Sequence, residues 1–146
     1  MKVKIFIIFC IALVGSAIAN AESKKEEYEL QERCGKRADE RFKREYGDRI
    51  SRYDAGQWVY HYTNHYNKKL NKCFVLIRGH ISEKDGGFME FEQLWDINAH
   101  KEYGYFMRDR DKGGKVWSWT SCFILDKMVD ADKEKWDPFV VPYMEE

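Results

Sequence analysis

The chain has 146 residues, with 25 Lys and Arg against 25 Asp and Glu, 5 Trp, 9 Tyr, 9 Phe, 4 Cys and 2 Pro. Balanced charge excludes a dedicated nucleic-acid binder, which carries a clear basic excess. The apolar and aromatic content excludes a disordered tail, and the length fits one domain at roughly 100 to 200 residues.

Met1 to Ala21 has the three parts of a secretory signal. Lys2 and Lys4 come first, an apolar run extends from Ile5 to Val14, and small residues lead to Ala19-Asn20-Ala21. Cleavage is predicted before Glu22, leaving one domain over residues 22–146. The run is shorter than the ~20 residues of a transmembrane helix. Cys10 follows Ile8 and Phe9, unlike a lipid-attachment cysteine. Losing Lys2 and Lys4 makes the remaining domain slightly acidic and leaves Cys34, Cys73 and Cys122. In an oxidising compartment three cysteines predict one disulfide and one free thiol. No N-x-S/T acceptor occurs, so a bacterial periplasmic or secreted protein is expected.

Ser23 to Tyr46 is rich in Lys, Arg and Glu and has no proline. Leu30, Cys34, Ala38, Phe42 and Tyr46 recur every fourth residue, which predicts an amphipathic helix with a narrow apolar stripe. Pairs such as Asp39 with Lys43 and Glu40 with Arg44 support its wet face, and Gly47-Asp48 supplies a stop.

From Trp58 the period becomes two. Trp58, Tyr60, Tyr62, Asn64 and Tyr66 alternate with Val59, His61, Thr63 and His65, predicting a strand. A turn at Asn67 to Asn71 leads to a strand over Lys72 to Arg78, and Ser82 to Gly87 reverses the chain again. Met89, Phe91, Trp95 and Ile97 interleave with Glu90, Glu92 and Asp96 as a third strand. Strands over Tyr103 to Arg108 and Val116 to Leu125 follow, separated by a polar turn at Asp109 to Gly114. Ala131 to Met144 reads as a short helix interrupted by Pro138 and Pro142. The predicted class is α+β: an N-terminal helix, an antiparallel sheet of four to five strands and a short C-terminal helix.

The segment YTNHYNKKLNKCFVLI (Tyr62 to Ile77), preceded by LQERCGKRADERFK (Leu30 to Lys43), resembles a family of small secreted bacterial proteins of uncharacterised function. LWDINAHKEYGYF (Leu94 to Phe106) and PYMEE (Pro142 to Glu146) extend the resemblance over most of the chain after the signal. It implies no activity, cofactor or catalytic residue. It does imply a disulfide between Cys34 and Cys73 within a compact exported domain. Members of the family often carry another cysteine beyond the position of Cys122, whereas Asp126 to Asp130 contains none here. Spacing alone leaves Cys34–Cys122 and Cys73–Cys122 open. A bridge between Cys34 and Cys73 would close a loop of about 40 residues and tie the thin helix to the sheet, for roughly 4 kcal/mol.

Candidate chemistry is sparse. His61 and His65 lie ~13 Å apart on a strand, too far to share a metal. Asp109, Asp111 and Gly114 begin like a calcium loop, but Thr120 stands where a Glu is required. Asp126, Asp130, Asp132, Glu134 and Asp137 fit a solvated run capping the last helix. Glu90, Glu92 and Asp96 share a strand face, as paired glycosidase carboxylates do, and equally as charges on the wet side of a sheet do. No nucleophile motif or Gly-rich phosphate loop is present, and no cofactor or metal site is expected.

Tyr60, Tyr62 and Tyr66 form an aromatic row suited to a protein, peptide or envelope component, and suited equally to packing beneath the helix. The expected function is an exported, disulfide-stapled, non-enzymatic binding module of the bacterial envelope or periplasm. The alternative is a small secreted hydrolase using Glu90, Glu92, Asp96 or a histidine. A disulfide-linked dimer through Cys122 is a further expectation, with no nucleic-acid partner and no membrane span after signal cleavage.

Overall fold

The computed structural model describes residues 3–47, 49–53, 56–83, 86–116, 121–130 and 132–145, with backbone alone over 3–23 and 51–53. Parts of the predicted leader at Met1-Lys2, of two turns at Asp48 and Lys84-Asp85, of a strand at residues 117–120 and of the last helix at Ala131 lie outside the described residues. Helix α1 spans Val3–Tyr46 without a break, so the leader-like segment and the amphipathic stretch form one helix. It ends where Gly47 adopts φ 55° and its amide donates to the carbonyl of Lys43 at 3.0 Å. That left-handed step is available to glycine without a Cβ clash.

Seven strands follow: β1 Ile50–Tyr53, β2 Gly56–Asn67, β3 Lys72–Glu83, β4 Phe88–Asp96, β5 Lys101–Arg110, β6 Ser121–Ile124 and β7 Lys127–Val129. They form a single antiparallel sheet in sequence order, a meander. Four of the predicted strands are its long members β2 to β5, while the strand expected over Val116 to Leu125 is, among the described residues, only the four-residue β6, with Val116 in an isolated bridge to Arg110 and Leu125 in the turn after β6. The short outer strands β1 and β7 add to them, because three or four residues display no readable period. Helix α2, Lys133–Met144, completes the α+β domain.

One helix lies on each face of the sheet. Cys34, Ala38 and Phe42 of α1 pack on Cys73, Val75 and Ile77, with Ile97 beside them. On the opposite face Trp136 and Val140 of α2 pack on Phe74, Leu76, Leu94, Phe106 and Cys122. The run Cys73-Phe74-Val75-Leu76-Ile77 therefore serves two cores, and each large side chain buried there is worth about 1.5–3 kcal/mol. Gly104 lets α2 sit close, since a Cβ at that position would lie 2.8 Å from both the Trp136 and Phe139 rings.

Pro138 and Pro142 do not interrupt α2, contrary to expectation. Glu134 and Pro138, whose carbonyls lose their amide partners, are exposed, so water can replace the missing donors. Asp132 starts the helix as its N-cap, its Oδ1 accepting from the Glu134 amide at 3.0 Å. The disulfide joins Cys34 of α1 to Cys73 of β3, with Cα atoms 5.4 Å apart.

Candidate binding surface

Period-two alternation places Trp58, Tyr60, Tyr62 and Tyr66 on the α1 face, yet the tyrosine row does not form one open surface. The Tyr62 ring lies 4.7 Å from Phe42, and its hydroxyl donates to Asp39 at 3.2 Å. The Tyr66 amide donates to Gln31 Oε1 at 2.8 Å, and its hydroxyl donates to Asn71 Oδ1 at 2.7 Å. Both belong to the docking of α1. Tyr60 stands where the helix ends, its ring 4.9 Å from Tyr46.

Beyond that point the same face continues without a helix among the described residues. Trp58 stacks on Tyr60 at 5.8 Å, and Phe91 lies 5.7 Å from Trp58 and 6.3 Å from Tyr105. Gly79 makes room for Phe91, whose ring would stand 2.3 Å from a Cβ there. Register carries the face outward through Tyr105 and Phe123 to Met128. Phe123 and Met128 are exposed. The last contact from α1 is the Tyr46 hydroxyl, which donates to Gln93 at 2.7 Å.

Within this surface is a half-open cavity of about 310 Å³, walled by Gln93, Glu102, Tyr103, Gly104, Tyr105, Phe123 and Asp126. Glu102 is placed by the register shift between Leu94 and Trp95, where β4 and β5 pass out of step. One of its carboxylate oxygens is buried and has no hydrogen-bond partner among the described residues. Burial pushes its carboxyl above the ordinary range. Arg41 offsets part of that rise, and the charge of Asp126 adds to it. Burial also raises the Tyr105 hydroxyl, helped by Glu102. A wall of two carboxylates and aromatic rings is complementary to a cation carried on an apolar stem.

The carboxylates on the other face are committed elsewhere. Glu90 accepts from Arg108 Nε at 2.7 Å. Glu92 is paired with Lys133, accepts from the Trp136 indole at 2.8 Å and lies 3.6 Å from Arg78. Asp96, 1% exposed, pairs with Lys72 at 2.9 Å and accepts from the amides of Asn98 and Ala99. Their alternation does not mark a fully wet face, because α2 covers part of it. His61 faces His80 across the strand pair, ring centroids 6.3 Å apart, while His65 is half-buried four residues along. Burial, then the neighbouring Arg78 and His80, lower the His61 pKa. Asp111 closes its own loop by accepting from the amides of Gly113 and Lys115. In the acidic run, Asp130 pairs with Lys135 at 2.6 Å and Asp137 with Lys133 at 3.1 Å. Among the described residues no three metal-ligating side chains converge. Cys122 is a free, fully buried cysteine.

No protein-family model matches the chain, and no curated protein or solved structure matches it significantly. Glu102 escapes sequence reasoning because a bulge, invisible in residue pattern, decides where it points. Its flanking Tyr103-Gly104-Tyr105 was the available hint of a close backbone approach.

Proposed function

We propose that the chain is an exported, disulfide-stapled, non-enzymatic binding module of the bacterial envelope or periplasm. It takes an extended basic segment of another protein on the half of the sheet that α1 leaves open. The observation carrying this reading is the acidic, aromatic-walled cavity set into that open half. A Lys or Arg side chain entering it would add positive charge beside Glu102, which Arg41 offsets only in part, and beside Asp126, and would lay its stem along Tyr105 and Phe123. The half-buried Trp58, Tyr60 and Phe91 would receive neighbouring apolar side chains of the same segment. Support for export comes from the leader-like Met1 to Ala21, the resemblance to small secreted proteins and the disulfide, a bond of oxidising compartments. No helix among the described residues is long and apolar enough to cross a membrane.

The test is titration of the protein with a short peptide alternating Lys with Leu or Tyr, followed by tryptophan fluorescence. The same peptide with Glu in place of Lys serves as reference. Selective binding of the basic peptide, weakened about tenfold by Glu102→Gln with Asp126→Asn, is expected. Equal binding of both peptides, or no effect of the paired substitutions, would overturn the reading.

A further inference from the structure

We propose that a second cavity, between α1 and the β4–β5 turn, is a binding site for a phosphate ester. This site neighbours the acidic cavity, since Arg41 acts on the charge of Glu102, but it does not rest on that cavity's proposed partner. Arg37, Arg41 and Arg44 fall at i, i+4 and i+7 along α1 and so share one side of the helix. That side meets the turn after β4, and the two enclose about 340 Å³, with Ile97, Asn98 and His100 on the turn wall.

Arg41 is the unusual member. It is 7% exposed, and its guanidinium lies 3.9 Å over the Trp95 ring. It pairs with Glu45 at 3.1 Å, while its buried Nε has no acceptor among the described residues. A desolvated guanidinium with an unmet donor is costly unless an anion or acceptor completes it. Arg37 is held toward the turn by a 2.5 Å bond to the Asn98 side chain, and Arg44 stands exposed at the rim. Against these three cations stand three carboxylates. Glu40 lies on the wall, and Glu45 lies 3.1 Å from Arg41 and 3.8 Å from Arg44. Glu102, the third, acts on Arg41 from the neighbouring cavity, so the lining of this one holds three arginines against the single carboxylate of Glu40.

Guanidinium groups arriving from one side, with an imidazole and an amide from the other, match a tetrahedral oxyanion. Such an anion accepts from several directions at once, and guanidinium forks suit phosphate oxygens. The cavity is larger than a phosphate group needs, and Ile97 gives its wall an apolar shoulder for the carbon side of an ester. Two sources share this chemistry: a soluble phosphate monoester and the headgroup of an anionic phospholipid.

The experiment uses the full chain with glycerol 3-phosphate in calorimetric titration. In parallel it is co-sedimented with phosphatidylglycerol vesicles, phosphatidylcholine vesicles being the reference. Arg37→Gln with Arg44→Gln removes two exposed cations while sparing the buried Arg41, and Arg44→Gln alone is a milder second variant. Lys112→Gln with Lys115→Gln removes the same charge from the exposed turn after β5. Saturable binding that falls about tenfold in the arginine pair and stays within about twofold of wild type in the lysine pair supports the site. Binding of the ester assigns a soluble ligand, and binding of the anionic vesicles alone assigns the lipid headgroup. No binding in either arm, equal loss in both variant pairs, or equally strong competition by acetate would overturn it.

Discussion

The side-chain amide of Asn67 donates to the carbonyl oxygen of Pro142 at 2.9 Å, tying the β2–β3 turn to the last turn of α2 across 75 residues of sequence. Asn67 is 1% exposed, and its Oδ1 accepts from the Leu70 amide at 3.0 Å. One side chain thus closes a turn and satisfies a carbonyl that the helix end leaves without a donor. Asn67→Ala should lower stability by about 2–3 kcal/mol, since both partners lose their bond in a dry site. Asn67→Asp keeps the acceptor but sets a carboxylate against a carbonyl, and should fare no better. Urea unfolding would show a lower midpoint at unchanged slope. A wild-type midpoint in Asn67→Ala would reject the role.

The Cys34–Cys73 disulfide spans 39 residues and anchors a helix whose buried stripe is narrow. The chain-entropy relation values such a closure at roughly 4 kcal/mol. Cys34→Ala with Cys73→Ala, or reduction of the wild type, should lower the unfolding midpoint by a corresponding amount, monitored by far-ultraviolet circular dichroism. An unchanged midpoint would mean that side-chain packing alone holds α1.

Much of this architecture was readable in the residues. The four-residue stripe from Leu30 to Tyr46, the stop at Gly47 and the long alternating strands all follow from local steric and burial rules. The pairing of Cys34 with Cys73 came from resemblance, since spacing permits three pairings. Harder to read was the two-sided sheet. The run Cys73 to Ile77 carried that signal, because an unbroken apolar strand needs cover on both faces. The fate of Glu92 depended on where α2 lands, which nothing local to Glu92 encodes. The aromatic row was legible as a face, but which of its tyrosines α1 covers depends on where the helix crosses the sheet. The basic cavity draws on Arg37, Arg41 and Arg44 from one segment and the Ile97 to His100 turn from another, joined only by the fold.

Cys122 is fully buried between β5 and α2, and burial holds its thiol above the usual range, with Lys135 offsetting part of the rise. Thiolate formation and access are both suppressed, so an aromatic disulfide reagent at mildly alkaline pH should leave Cys122 unmodified in the native protein and label it after denaturation. Non-reducing electrophoresis of fresh protein should show a monomer. Rapid native labelling, or a reducible dimer, would show that β6 opens readily and would support the thiol-linked dimer as a working state.

Glu92 and Glu102 should respond to pH in opposite senses. Burial tends to raise Glu92, but the hydrogen bonds from Lys133 and the Trp136 indole outweigh it and hold the pKa below its ordinary 4.5. A depressed native pKa means that its stabilisation is complete above 4.5 and fades as pH falls through the native value. Glu102 is raised above 4.5 by burial, so the native state holds its proton more tightly, and stability is lost as pH rises from 4.5 through the native value. At neutral pH Glu92→Gln should therefore cost about 2 kcal/mol. Glu102→Gln should stabilise the protein there. Both differences should shrink as the medium is acidified. Urea midpoints collected from acid to neutral pH would check this, and two variants shifting in the same direction at neutral pH would refute the assignment of strain to Glu102 and support to Glu92.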